Sequence, residues 1–399
     1  MSVRDQSLAP EGKKKINWVK SHMPVLNLLE KQFKEEKPLK DTNISMAIHL
    51  EPTTAYLATV LGKGGAKVAL TGSNPLSTQD SAAAAVNEEE NVEVYAKHGA
   101  DKEEFYENYN KVLDIEPDVI IDDGSDLVSI THEKRRNLLD KIKGACEETT
   151  TGVNRLKSME KEKVLEFPAI AVNDAKSKYL FDSMHGTGQS VWDGVMRTTN
   201  LSIAGSQVVV SGFGPVGKGI AKRADGLGAN VTITEVNPIR ALEAVMEGYS
   251  VKTMKEAAKV ADFIITATGD KKVVDKEHFK VMKENAILAN AGHFDVEVNI
   301  EGLEKMAEEV KEVKENITEY KLNDKSLFVL GEGRLVNLAC GDGHAAEIMD
   351  ISFALQAKSV LYLINNDLEN KVYNVPKKID EEVSELKLKG MGIETDTLT

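Results

Sequence analysis

One junction restricts the fold more than any other feature of the chain. The apolar run Gln207-Val-Val-Val-Ser211 stops at Gly212-Phe-Gly214-Pro-Val-Gly217, and a helical segment carrying Ile220 and Ala221 follows. In a parallel α/β sheet the first glycine of such a turn permits tight reversal, the second lets backbone approach a pyrophosphate, and the third lets the helix pack against the strand. The phosphates then meet a helix N-terminus, where N–H groups and the dipole favour negative charge. A glycine-rich turn alone is weak evidence, but Glu235 ends the next strand about 20 residues on, where a carboxylate accepts from the adenosine ribose of NAD and repels the 2′-phosphate of NADP. Arg240, close behind, could hold a 2′-phosphate; NAD is nevertheless the expected cofactor.

The rest of the chain repeats the strand-helix alternation. Short β-rich runs at Ser45–His49, Val68–Thr71, Val92–Tyr95 and Val119–Asp122 are separated by helical stretches, and a second series runs through Gln207–Ser211, Val231–Thr234, Phe263–Thr266, Ala286–Ala289 and Leu327–Leu330. Two parallel α/β sheets follow from that pattern. The glycine-containing stretch FDSMHGTGQS between the series suits a hinge near Ser183, with a second near Asp342. Residues 348–365 have helical apolar spacing, and periodicity leaves open whether that helix completes the second sheet or crosses back to the first.

Length and charge narrow the function. At 399 residues two main domains are expected. Acids outnumber bases 64 to 50, for a net charge of −14, which argues against binding nucleic acid, and Lys13 to Lys15, a tight basic run, reads as a solvated face. No membrane span or apolar leader is expected, and Cys146 and Cys340, far apart and outside any zinc-type spacing, give neither a disulfide framework nor a metal site; a reducing cytoplasm fits.

Polar groups fall just past several strand ends of the first series, where open parallel sheets bind ligands. His49 follows SMAI, Asp122 and Asp123 follow VII, and Lys178 and Asp182 follow AIAVND within one helical turn, at i and i+4, so both can face one ligand. Taken singly, these are an ordinary loop histidine, a turn aspartate and a helix ion pair. Taken together with HLEPTTA, GSNPLSTQD, IIDDGSDL, CEETTTG, VNDAKSKYLFD, GFGPVG, NAGHFDVE and EGRLVNLACGDGH, they make the chain, from INWVKSHMP onward, resemble the S-adenosyl-L-homocysteine hydrolase family.

That resemblance implies two Rossmann-like parallel-sheet domains: a substrate domain in two pieces (1–183 and 342–372), an inserted NAD domain (184–341) and a C-terminal tail (373–399). It implies a cytoplasmic homotetramer retaining NAD through a cycle in which ribose C3′ is oxidised, the acidified C4′ proton leaves, homocysteine is eliminated, water adds at C5′ and the alcohol is restored. By motif position, Lys178 would take the 3′-hydroxyl proton, a role that needs the lowered pKa burial can supply. Glu148 and Asp182 would hold the ribose hydroxyls, Asp123 and His49 would move protons at C4′ and C5′, and His293 would stand in the gate for homocysteine. Glu51, Thr53, Thr54 and His344 join the substrate contacts. Thr149, Thr150, Thr151, Ser183, Ala291, Gly292, His293, Asn337 and His344 join Gly212, Gly214, Gly217, Glu235 and Arg240 around NAD, the three successive threonine hydroxyls as donors to its amide and ribose oxygens. No metal is implied.

Departures from the family pattern carry their own expectations. Thr53 stands where a group accepting from the adenine amine is usual; a hydroxyl also donates, so S-inosyl-L-homocysteine is an alternative to S-adenosyl-L-homocysteine. Ser183 and Arg240 each replace a common asparagine. The chain stops at Leu398-Thr399, short of a tail that in many members closes over a neighbour's NAD, which suggests easier cofactor exchange. Two rivals remain. A 2-hydroxyacid dehydrogenase shares the glycine turn but gives no reason for EETTTG or VNDAKSK, and a non-catalytic NAD-binding regulatory relative would be expected to lose catalytic groups that are all present here.

Overall fold

The computed structural model describes residues 3–396, so Leu398 and Thr399 of the expected tail lie outside the described residues. The chain divides into two units: one runs to Tyr179 and resumes at Ala346, and the other spans Leu180–Ala345.

The first unit begins with two helices, Ala9–Lys20 and Pro24–Glu36, each with proline at its first turn, where the missing N–H costs nothing. Strands β1 (Asn43–Ala47), β2 (Lys67–Thr71), β3 (Val92–Val94), β4 (Val119–Asp122), β5 (Gly144–Glu147) and β6 (Ala169–Ala171) then alternate with helices. They are buried almost throughout, as expected for strands covered on both faces.

The second unit supplies β7 (Gln207–Ser211), β8 (Asn230–Thr234), β9 (Ser250–Val251), β10 (Phe263–Thr266), β11 (Ile287–Asn290), β12 (Glu309–Lys314), β13 (Ile317–Lys321) and β14 (Ser326–Leu330), in the order β12-β13-β14-β11-β10-β7-β8-β9. Pairing is parallel except along β12–β13–β14, a meander extending one edge. β7 lies between β10 and β8 with Ser211 in register with Thr266 and Thr234, so the glycine turn leaves the middle of the sheet's C-terminal edge.

At Ala346 the chain rejoins the first unit. Helix Ala346–Asn365 packs in its core, β15 (Val372–Asn374) pairs parallel with β6, and helix Lys377–Gly390 covers that side. The completed sheet has the order β15-β6-β5-β4-β1-β2-β3. Residues 373–390, read from the sequence as a tail, are therefore folded into a strand and a packed helix. Asp350 explains part of that packing: it accepts from Val25 N (3.1 Å) and Leu26 N (2.9 Å) at the start of an N-terminal helix and from Lys387 Nζ (2.9 Å) of the last one. The two-sheet α/β architecture holds, with the mixed edge of the second sheet as a difference. Among the described residues, no helix is long and apolar enough to cross a membrane.

Candidate active site

In the first unit the candidate side chains gather where β1, β4, β5 and β6 end. Asp122 and Glu147 are register partners at the ends of β4 and β5, fully buried, and each is followed by a residue of the expected catalytic set, Asp123 or Glu148. Both precursors are bonded to the loops that follow them. Asp122 accepts from Asp123 N (3.0 Å) and Val128 N (2.8 Å), while Glu147 accepts from Gly124 N (2.9 Å), Thr149 N (2.9 Å), Thr149 Oγ1 (3.0 Å) and Ser125 Oγ (2.7 Å). These bonds hold Gly124 (φ 97°) and Ser125 (φ 60°) in the left-handed region, which costs a side-chain-bearing residue about 1–3 kcal/mol unless its surroundings fix it. Burial pushes the Glu147 carboxyl up to about 7, and burial followed by the Glu147 charge pushes Asp122 well above the usual carboxylate range.

On this platform stand two clusters. His49, half-buried after β1, places Nε2 3.2 Å from Asp123 Oδ2 and Nδ1 2.7 Å from Ser77 Oγ. Ser77 Oγ in turn donates to Asn74 O (3.0 Å), so its lone pairs are left to receive Nδ1–H. Ser73 Oγ donates to the same Asp123 oxygen at 3.0 Å. In the second cluster Nζ of Lys178, 4% exposed, donates to Glu148 O (2.8 Å) and Asn173 Oδ1 (3.2 Å) and lies 3.7 Å from Glu148 Oε1. Gln356 Nε2, fully buried on the returning helix, donates to Glu148 Oε2 at 2.6 Å.

The nucleobase candidates sit at the start of helix Pro52–Lys63. Glu51 precedes it, Pro52 opens it, and Glu51, Thr53 and Thr54 are all buried, with Thr54 Oγ1 donating to His49 O (2.6 Å). Two expectations need revision. Lys178 lies in a short helix, Lys176–Tyr179, that ends before Asp182, where a separate π-helical stretch, Asp182–Thr187, begins in the other unit; a common helical face does not unite the two side chains. The three threonines are not a row of free donors either. Thr149 caps helix Thr150–Lys161 through Gly152 N and bonds to Glu147, and Thr150 pairs with Asn173.

In the second unit the glycine turn behaves as its residues require. Gly212 has φ 93°, and a Cβ there would meet Ala267 O at 2.7 Å; a Cβ on Gly217 would meet Gly212 O at 1.9 Å; at Gly214 only Arg240 Nη1 comes near, at 3.5 Å. Helix Pro215–Gly226 has no side-chain cap, so its first N–H groups face the turn. Glu235 is pinned by Phe213 N (2.7 Å), Val236 N (2.7 Å) and Asn237 N (2.8 Å), which holds the carboxylate beside that turn.

The loop Ala291-Gly292-His293-Phe294 is tied by fully buried Asn290, whose Nδ2 donates to Gly292 O (3.0 Å) and Phe294 O (2.9 Å) and whose Oδ1 accepts from Gly292 N (2.8 Å). The neighbouring loop is tied by Glu297, which accepts from Thr268 N and Oγ1 and from Gly269 N; burial raises its pKa. His344 bridges Asp182 Oδ1 and Thr187 Oγ1, each at 3.0 Å. Asn337 donates to Ser190 Oγ (3.1 Å), and its own Oδ1 is buried without a hydrogen-bond partner. An orphaned acceptor in the unit that carries a glycine-built phosphate turn suits the amide and phosphate ends of a dinucleotide, so the residues present fit NAD.

Sequence comparison agrees with this geometry. Residues 183–343 match the family model described as S-adenosyl-L-homocysteine hydrolase, NAD binding domain, and residues 1–138 match S-adenosyl-L-homocysteine hydrolase. The chain is 57% identical to the S-inosyl-L-homocysteine hydrolase of Methanocaldococcus jannaschii (100% of this chain, 96% of the relative). It is 56% identical to the adenosylhomocysteinase of Pyrococcus abyssi (100% and 94%) and 54% identical to that of Thermotoga maritima (97% and 96%). Among solved structures, a dipicolinate synthase chain from Bacillus halodurans superposes with a TM-score of 0.51 at 13% identity, covering 82% of this chain and 100% of that one, a likeness of fold alone.

Proposed function

The chain belongs to the S-adenosyl-L-homocysteine hydrolase family, and from that premise we propose how its residues divide the work and which nucleobase it takes. It is an NAD-dependent enzyme that hydrolyses the thioether of a nucleosyl-homocysteine. When bound, NAD supplies the hydride acceptor for ribose C3′ and the donor that restores the alcohol.

Within the first unit, Lys178 takes the 3′-hydroxyl proton. Its held position between Glu148 O and Asn173 Oδ1 supports this role, because one well-aimed nitrogen is what a general base requires. Glu148, fixed by Gln356, accepts from the ribose hydroxyls. His49 and Asp123 move protons at C4′ and C5′. Since Nδ1–H is committed to Ser77, the Nε2 to Asp123 contact carries the exchangeable proton. From the second unit, Asp182 accepts from a ribose hydroxyl while His344 orients it, and Asn337 accepts from the carboxamide of the cofactor. His293 belongs to the loop that admits homocysteine.

The nucleobase we assign is hypoxanthine, on one observation: buried Glu51 and Thr53 offer a carboxylate and a hydroxyl where the base is read. Hypoxanthine presents a donor, N1–H, beside an acceptor, O6. Adenine presents the reverse, a bare N1 beside an amine. A carboxylate only accepts and a threonine hydroxyl can donate, so the pair matches N1–H and O6. Purified, NAD-loaded protein assayed with both thioethers is expected to favour the inosyl substrate in kcat/KM by about a hundredfold or more, as sites that hydrogen-bond a substrate do. A preference for the adenosyl substrate would overturn the assignment. We also propose a cytoplasmic homotetramer, to be checked by light scattering of the NAD-loaded protein; a monomer would contradict it.

A further inference from the structure

The four-residue helix that carries Lys178 has a peculiarity at its start. The residue before Lys176–Tyr179 is Ala175, which has no side-chain acceptor, so the first backbone N–H groups have no local cap. The cap comes from the far end of the chain. Asp380, in the first turn of helix Lys377–Gly390, accepts from Lys176 N through Oδ2 (2.8 Å) and from Ser177 N through Oδ1 (3.1 Å), and Ser177 Oγ donates to the same Oδ1. Three donors on consecutive residues are thus gathered by one carboxylate more than 200 positions away.

We propose that Asp380 is a positioning residue for Lys178. Lys178 is the third residue of that helix, and the helix is too short to hold its own shape: a single turn is nucleation without propagation. A carboxylate at its N-terminus stabilises the turn by hydrogen bonding and by charge against the dipole. The helix that delivers Asp380 is itself anchored, by buried Val383, by Lys387 on Asp350 and by the Glu382 to Lys358 pair at 2.7 Å. Asp380 therefore sits on a fixed support, and the direction of the Lys178 side chain is set from the C-terminal segment as well as from Glu148 and Asn173.

This inference rests on the assignment of Lys178 as the base for the 3′-hydroxyl, and its test separates the two. Full-length, NAD-loaded protein is mixed with substrate in a single turnover and cofactor reduction is followed by absorbance, alongside steady-state KM, NAD content and melting temperature. Asp380→Ala is expected to slow reduction about tenfold with KM within about twofold and NAD content unchanged, since a small misplacement of a reacting group costs rate rather than binding. Asp380→Asn, which keeps an acceptor, should recover most of the rate. Glu381→Gln, next along the same helix, should leave it unchanged. Should Asp380→Ala fail to fold, Ser177→Ala removes one of the three bonds without touching the C-terminal helix and should slow reduction about threefold. Reduction at the wild-type rate in Asp380→Ala, or in Ser177→Ala where the former is insoluble, overturns the proposal even if melting temperatures fall. No reduction in the wild-type protein would instead remove the assigned reaction.

Discussion

The two sheets end in different materials. Where β4 and β5 stop, the edge is made of buried acids: Asp122 and Glu147 spend their oxygens on the backbone of the loops that carry Asp123, Glu148 and Thr149. Where β7 and β8 stop, the edge is made of glycine and bare backbone, with Gly212 and Gly217 at positions a Cβ could not occupy and Glu235 held at the rim. The difference follows from the two tasks proposed for these edges. A dinucleotide's phosphates need open backbone N–H groups, which glycine exposes. Proton transfer needs side chains fixed to within a few tenths of an ångström, which a buried hydrogen-bond network provides.

The largest effect is expected at Gly217. Gly217→Val would drive a side chain into Gly212 O, and the expected result is loss of bound NAD, with the first unit still folded by circular dichroism and limited proteolysis. Full NAD occupancy in that variant would show that the edge tolerates side chains. Lys178→Met tests the opposite edge: NAD content should stay at the wild-type level while kcat falls about 10²- to 10⁴-fold, the usual worth of a general base. A change in KM alone, with kcat preserved, would remove Lys178 from the chemistry.

Gln356→Ala sharpens the contrast further by depriving buried Glu148 Oε2 of that donor, at about 1–3 kcal/mol. The expected readout is about a tenfold loss in kcat/KM with unchanged cofactor affinity; an equal loss in both would spread the network across the two edges. The smallest effect is one of pH. Glu147 has a folded value of about 7 against an ordinary value of 4.5, so its contribution to stability is full below about 4.5 and lost as pH rises through about 7. Glu147→Gln, which keeps the shape and cannot ionise, should melt close to wild type at pH 5 and gain on it by pH 8. An identical difference at both pH values would mean that Glu147 does not change protonation in this window.

How much of this is legible in the sequence follows from the same contrast. The glycine turn is local: strand, turn, helix and Glu235 lie within one short stretch, and geometry there follows from residue type. The acid platform and its partners are not local. Gln356 meets Glu148 across 208 positions and Asp380 meets Ser177 across 203, and neither separation leaves a pattern in the chain. Ser77 and Asn173, inside recognisable motifs, carry no signal of their own, because a hydroxyl or an amide becomes significant only once His49 or Lys178 is seen beside it. A helical face shared by Lys178 and Asp182 requires one continuous helix, whereas the helix stops at Tyr179. β12 is hidden for a simpler reason: all its residues are exposed, so the alternation that marks a half-buried strand is absent.

The proposed cycle uses one bound NAD for repeated hydrolysis, with oxidation undone in every turnover. Its most direct test uses dialysed, NAD-loaded protein with no added cofactor, supplied with the inosyl and adenosyl thioethers together, while released thiol and reduced cofactor are counted. Many thiols per protein with no net accumulation of NADH is the predicted result. One NADH per protein without continuing thiol release, or thiol release only in proportion to added NAD, would contradict it.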